Sequence, residues 1–433
     1  MNNIYQSRTR DTSPAPAVPA EVLVSLGEIA ESAREGLLAL AVGTGVQVMY
    51  AMMDADVAAL VGPKGKHQPD RVAVRHGSEV GSVTLGGRRL GVRRPRVRAV
   101  DGGGEVALPS YELFSSTEVL GRMALERMLA GLSTRRYGHG LEPVGERVDA
   151  TAAATSRSAV SRRFVAATEH ALAELMAADL SGLDLVALMV DGVHFAEHTC
   201  VVALGIGIDG TKHPLALVEG STENATLVRE LLVGLRERNL DVTRPILAVL
   251  DGAKALSRAV RDVFDKPLIQ RCQEHKIRNI RDRLPEKLRS LVQRRMREAY
   301  HAETALAAEA KLTTLAKELD KTHPGAAASL REGLQETLTV LRLDVPPTLA
   351  RTLRSTNPIE SLISICRNHS TNVKRWRDGQ MALRWCGAGM VEATKQFRRV
   401  NGHLHLPKLR DALERHFRET VTPVRHNQTK TAA

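Results

Sequence analysis

The chain has 433 residues and carries 61 lysines and arginines against 49 aspartates and glutamates, a formal net charge of +12. That length exceeds one ordinary core and points to two or three domains, while four scattered cysteines with no CxxC pair exclude a disulfide scaffold. The cationic surplus points to a polyanion, most simply nucleic acid, although a basic surface also serves solubility or contact with a ribosome or a membrane surface.

Residues 1–20 mix polar residues with Pro14, Pro16 and Pro19 and have no period, so they read as a disordered arm. From Glu21 to Asp56, Leu23, Leu26, Ile29, Leu37, Leu38, Leu40 and Val42 recur at helical spacing and predict one or two amphipathic helices for packing or dimerisation. No basic leader precedes an apolar run, and no stretch approaches the ~20 apolar residues of a membrane span. The sequence therefore predicts a cytoplasmic, nucleoid-associated chain with no membrane partner.

Gly81 to Leu85, the Gly86-Gly87 turn and Arg88 to Arg98 predict a β-hairpin whose second arm carries Arg93, Arg94 and Arg96. Helical sequence follows from Ser116 to Glu174, with Arg135 and Arg136 in Gly131 to Tyr137 and Arg162 and Arg163 in Ser156 to Arg163. Serine caps with arginines behind them suit a helix entering DNA, and equally a solvated helix end. Residues 21–180 are thus expected to bind DNA and to dimerise.

The centre changes character. Leu185 to Val190 and Ile246 to Leu250 are continuous apolar runs, each ending in Asp-Gly, as buried strands would. Between them lie two strands about Asp209-Gly210 and a helix over Asn224 to Arg238; after them come a helix near Lys254 and a strand over Pro267 to Cys272. This order predicts an α/β fold, a ribonuclease H-like mixed sheet over 181–285. Residues 286–350 read as a helical insertion, 351–410 as the last part of the core, and 411–433 as a tail.

Asp191 and Asp251, at the predicted ends of two strands, are suited to share a hard cation; singly, each Asp-Gly reads more simply as a turn. Glu360 follows Pro358 at a helix start, where a glutamate ordinarily complements the helix dipole. Together the three acids match phosphodiester chemistry, in which two divalent ions ~4 Å apart activate the attacking oxygen and stabilise the leaving one.

Cys272-Gln273-Glu274-His275, Ser355 to Ser361, Asn372 to Trp376, Ala382 to Trp385, Gly131 to Tyr137 and Glu219 to Asn224 occur in the order found in mutator-type transposases of bacterial insertion sequences. The chain resembles that family from about Gly131 to Val400. The resemblance implies a DDE transposase with Asp191, Asp251 and Glu360 as metal ligands for two Mg2+ ions, Mn2+ substituting. It further implies double-stranded DNA as partner, both terminal inverted repeats and target, and a homodimer on DNA. Gly192 to Phe195 departs from the family by lacking its basic pattern.

Cys272 and His275 have no second close pair to complete a structural zinc site, which leaves His275 steering a phosphate or a water, or a buried structural pair. Lys374, Arg375 and Trp376 suit a DNA backbone and an unpaired base, whereas Trp385 sits among apolar neighbours and reads as core. The rival functions are a metal-dependent nuclease that cuts without joining, and a site-specific DNA-binding regulator or catalytically silent relic.

Overall fold

The computed structural model describes residues 20–66 and 71–421, so all but the last residue of the arm expected over 1–20, and the end of the expected tail, lie outside the described residues. The chain divides into two compact units. Described residues up to 124 together with 134–163 form one, and residues 125–133 with those from 164 onward form the other.

The first unit opens with α1 (Ala20–Val61), a single helix where one or two were expected. Met53, Val57 and Val61 are buried along one face of it, Val57 and Val61 against Ala73, Val97 and Leu108. The segment Ala30–Val61 is long and apolar enough, by length and composition alone, to cross a membrane, contrary to the expectation from sequence. That expectation looked for an apolar run, whereas here small and polar uncharged residues such as Gly43, Thr44 and Gln47 interleave the leucines and valines without adding charge.

The hairpin forms as expected but longer, with β1 (Ala73–Leu85) antiparallel to β2 (Arg88–Ala99). Gly86 and Gly87 both have positive φ, 58° and 77°, which only glycine adopts without strain in a two-residue turn. A short β3 (Glu105–Val106) pairs with β2, and α2 (Pro109–Ser115), α3 (Glu118–Leu129), α4 (Glu146–Thr151) and α5 (Arg157–Ala177) follow. The division between the units falls inside α3 and α5.

The second unit is built on a five-stranded sheet of order β6-β5-β4-β7-β8, from β4 (Leu185–Phe195), β5 (His198–Gly207), β6 (Lys212–Glu219), β7 (Ile246–Leu250) and β8 (Pro267–Arg271). The meander β4-β5-β6 is antiparallel, and β7 and β8 run parallel to β4. The expected α/β class and mixed sheet are present.

Both faces of the sheet are covered, which is why the β4 and β7 runs are apolar throughout. On one face α6 (Ala225–Glu237) and α7 (Lys254–Val263) bury Val228, Leu232, Leu235, Leu256 and Val260 against Leu188, Val190 and Leu250. The other face carries α15 (Asn357–His369), α16 (Gly379–Thr394) and α17 (Leu406–Val421). Residues 411–421, read from sequence as tail, continue α17, because Leu406, Leu409 and Leu413 recur at helical spacing and are fully buried.

Between β8 and α15 the chain runs through α8 (Gln273–Arg281), then α9 (Glu286–Tyr300), α10 (Ala305–Asp320), α11 (Pro324–Arg331), α12 (Leu334–Thr337), α13 (Thr339–Arg342) and α14 (Pro347–Leu353). These helices have their own core around Ile280, Met296, Leu312 and Leu315. Buried polar bonds fasten the insertion to the sheet. The Gln270 side chain donates to the Thr337 carbonyl at 3.0 Å and accepts from the Val340 amide at 2.8 Å, and Gln273 also donates to the Thr337 carbonyl.

Candidate active site

Asp191 and Asp251 each directly follow a register pair, Val190 with Leu250, on adjacent parallel strands. Backbone pairing alone therefore brings the two carboxylates to neighbouring positions. The strands do not end alike, however. β7 stops at Leu250, as expected, whereas β4 runs on through Asp191, paired with Val202, as far as Phe195. The ladder to β5 and the burial of Val193 and Phe195 outweigh the turn preference of Asp191-Gly192.

Asp251 closes its own turn by accepting from the Ala253 amide at 2.8 Å, and Asp191 accepts from the Gly192 amide at 2.7 Å. Gly252 has φ 107°, and a β-carbon there would occupy the space of the Arg271 guanidinium. Glycine at this position thus lets the Arg271 side chain pass directly behind the Asp251 turn.

Glu360 comes from the first turn of α15, and the entrance of that helix is pinned to α8 by the Gln273 amide donating to the Arg354 carbonyl at 2.9 Å. Burial raises the Asp191 carboxyl above its ordinary pKa, a rise partly offset by the Gly192 amide and His275 and reinforced by the charges of Asp251 and Glu360. The charges of Asp251 and Glu360 thus act on Asp191 in one direction and that of His275 in the other.

His275 sits in the first turn of α8, half-buried, with Nδ1 3.7 Å from Glu360 Oε1. Its pKa is raised chiefly by its hydrogen bond to Cys272, against burial, with help from the charges of Cys272, Asp191 and Glu360. Cys272 caps the same helix. Burial would push its thiol up, but donors from His275 and Thr356 outweigh that and hold it below its ordinary value.

Sequence reasoning missed Thr356. Its hydroxyl is fully buried and lies 2.8 Å from Glu360 Oε1, 3.2 Å from His275 Nδ1 and 3.3 Å from Cys272 Sγ. Thr356 is the N-cap residue of α15, yet its side chain makes no capping hydrogen bond, because the hydroxyl is turned into this cluster. A threonine before a proline-started helix reads as a cap, and only the fold shows that it has been diverted.

The family model for transposases of the Mutator family matches residues 26–400. The chain belongs to that family. It is 32% identical to the transposase for insertion sequence element IS6120 of Mycolicibacterium smegmatis over 53% of this chain and 73% of that one. It is 26% identical to the transposase for insertion sequence element ISRM5 of Rhizobium meliloti, covering 84% and 90% respectively. The transposase for IS256 in transposon Tn4001 of Staphylococcus aureus is 25% identical over 75% of this chain and 82% of its own length.

In this Mutator-family chain the basic residues singled out from sequence differ in their surroundings. Arg93, Arg135, Arg136, Arg162, Lys374 and Arg375 are exposed. Arg94 is instead held by Glu79 and by Glu105 at 3.0 Å and lies over the Tyr111 ring, and Arg96 bonds Glu105 at 2.9 Å. Arg163 is half-buried and donates to the Ala154 carbonyl at 2.6 Å. Trp376 is half-buried with its ring 4.8 Å from Phe195 and 6.4 Å from Trp385, and Trp385 is buried as its apolar neighbours indicated. The indole of Trp376 thus faces an aromatic cluster while the charges flanking it face outward.

Proposed function

We propose that the chain cuts DNA at the terminal inverted repeats of an insertion sequence and joins the freed end to target DNA, with Asp191, Asp251 and Glu360 as ligands for two Mg2+ ions, replaceable by Mn2+. What supports this reading is the placement of Asp191 and Asp251 directly after a register pair on adjacent parallel strands of a mixed five-stranded sheet, with the charges of Asp251 and of Glu360 both acting on the Asp191 carboxyl. The donor set fits the ions: carboxylate oxygens are the ligands Mg2+ prefers, and the Asp191 carboxyl, raised chiefly by burial and further by the charges of Asp251 and Glu360, is one whose charge a cation relieves.

When bound, the two ions supply an activated attacking oxygen and a stabilised leaving oxygen. The protein's part is to hold the carboxylates in register. Asp191 and Asp251 are fixed by the strand pairing and their own amide bonds, and Glu360 by Thr356. His275, whose pKa is raised by its bond to Cys272 and by the nearby acids, donates to a phosphate oxygen or a water of the DNA complex. Water attacks the phosphodiester at the element end, and the 3′-hydroxyl so released then attacks the target strand in line.

Exposed Arg93, Arg135, Arg136, Arg162, Lys374 and Arg375 meet DNA phosphates in this reading. A second copy of the chain meets the face of α1 turned away from its buried side, where Leu37, Leu40, Val48 and Met52 are exposed. The reaction takes place in the cytoplasm, on chromosomal DNA.

The test is incubation of the purified chain with Mg2+ and labelled DNA bearing the terminal repeats of its own locus, beside Asp251→Ala. Nicking at the repeat ends with joined products, absent from the variant, is expected. Cleavage of intact ends, with no joining of precleaved ends, would point to a nuclease. Binding without cleavage in either Mg2+ or Mn2+ would point to a regulator or silent relic.

A further inference from the structure

We propose that Cys272, His275 and Glu360 form a second cation site, selective for a thiophilic divalent ion of the Zn2+ class, and that occupancy there silences the chain by holding Glu360 out of the carboxylate triad. The binding half stands on geometry alone. The silencing half rests on Glu360 being the third carboxylate of the proposed DNA-cutting centre.

One sulfur, one nitrogen and one carboxylate oxygen lie within 4.8 Å of one another. His275 Nδ1 and Glu360 Oε1 are 3.7 Å apart, against edges of roughly 3.3–3.8 Å in a tetrahedral zinc centre with these donors. The first turn of α8 fixes two of them, since Cys272 is its N-cap and His275 stands three residues on. The third enters from the first turn of α15, and Thr356 already holds it toward the other two.

The surroundings of the sulfur are those of a thiolate. Sγ accepts from the His275 amide at 3.5 Å and the Thr356 amide at 3.4 Å, and the Thr356 hydroxyl that holds Glu360 lies 3.3 Å away, all around a fully buried atom. Glu360 thus stands between two donor sets of opposite character. With Asp191 and Asp251 it completes an all-oxygen set, which selects Mg2+ or Mn2+; with Cys272 and His275 it completes a sulfur–nitrogen–oxygen set, which selects Zn2+.

One carboxylate whose partner sets differ this much makes the two ion classes antagonists. Three protein ligands leave the fourth position to the Thr356 hydroxyl or to water, so the ion is exchangeable rather than structural. A pair of donors too few for a zinc finger becomes sufficient once the fold adds Glu360.

The probe is Co2+ titrated into the full-length chain. A sulfur-to-cobalt charge-transfer band with tetrahedral d–d bands is expected, bleached by one equivalent of Zn2+ and unaffected by Mg2+ at the same concentration. The bands should be absent from Cys272→Ser, shown folded by circular dichroism and melting, and retained in Asp251→Ala, which cripples only the all-oxygen set.

In the Mg2+ cleavage assay, Zn2+ should lower the wild-type rate about tenfold or more, with recovery on chelation, and should leave Cys272→Ser near its own zinc-free rate. No band in the wild type, or a band that survives in Cys272→Ser, overturns the site. A band without zinc inhibition of an active wild type overturns the silencing. A wild type that shows the band and never cuts DNA overturns the cleavage reading and leaves the ion site standing.

Discussion

The hairpin and the sheet both concentrate like charge, and they treat it in opposite ways. On β2 the arginines are largely neutralised within the unit. Arg88 is buried with Asp149 and the carbonyls of Gly86 and Glu142, Arg89 bonds Ser82, Thr84 and the Ser115 carbonyl, and Arg94 and Arg96 engage Glu79 and Glu105. Arg93 and Arg98 are left exposed. In the sheet unit, His275 stands 3.7 Å from Glu360, and the Asp191 carboxyl is raised chiefly by burial and further by the charges of Asp251 and Glu360. Charge that finds its partner inside the protein builds structure, and charge left in excess in a half-buried site calls for a partner from outside.

The sharpest way to break this contrast is Glu360→Gln, which keeps the size of the side chain and removes its charge. Cleavage should fall by about a thousandfold or more while binding of terminal-repeat DNA, read by gel shift, stays within about twofold. Retained cleavage would remove Glu360 from the centre.

Thr356→Val comes next. It deletes the one hydroxyl that reaches Glu360, His275 and Cys272, and should lower the rate about 10–100-fold with a weaker apparent Mg2+ affinity, while Thr356→Ser restores most of both. An equal loss in the serine variant, which keeps the hydroxyl, would show that the hydroxyl bonds alone do not account for the effect.

The hairpin side is tested by two arginines on one strand. Arg88→Met should cost about 1–3 kcal/mol of stability in chemical denaturation, because it strips charged donors from buried carbonyls. Arg93→Ala should leave stability unchanged and reduce the slope of log binding constant against log salt by about 1. Exchanged outcomes would invert the assignment of structural and DNA-facing charge.

The smallest effect concerns metal-free protein. The folded-state pKa of Asp191 lies above its unfolded value, so as pH rises from the ordinary aspartate range through the raised folded value, the folded state is progressively penalised for its charge. Asp191→Asn should therefore raise the melting temperature at neutral pH without Mg2+, and the gain should shrink as pH falls toward the ordinary aspartate range. A lower melting temperature at neutral pH would show that the Gly192 amide bond outweighs the burial.

Much of the second unit was legible because its signals are local. Leu185 to Val190 and Ile246 to Leu250 contain no polar residue, Asp209-Gly210 marks a turn, and Leu231 and Leu235 share a helical face, so strands, hairpin and helix follow from spacing alone. The strand-ending Asp-Gly pairs and the ordered motifs singled out Asp191, Asp251 and Glu360 as the proposed ligands. What stayed hidden depends on partners distant in sequence. β4 outruns Asp191 because β5 pairs with it, Arg94 and Arg96 are occupied because Glu79 and Glu105 face them across the hairpin, and Thr356 abandons its cap because Cys272 and His275 arrive from another helix. The uninterrupted α1 was obscured by Gly43 and Gly45, whose cost within a helix is only about 1 kcal/mol each.

The long helical insertion between Asp251 and Glu360 also sets an order in time. A ribosome delivers the sheet and its two aspartates first, then seven helices from α8 to α14, and Glu360 only afterward. In the proposed reading, a nascent chain that ends within the insertion holds two of the three carboxylates and has no complete metal centre. The proposed centre is completed only once α15 has been made.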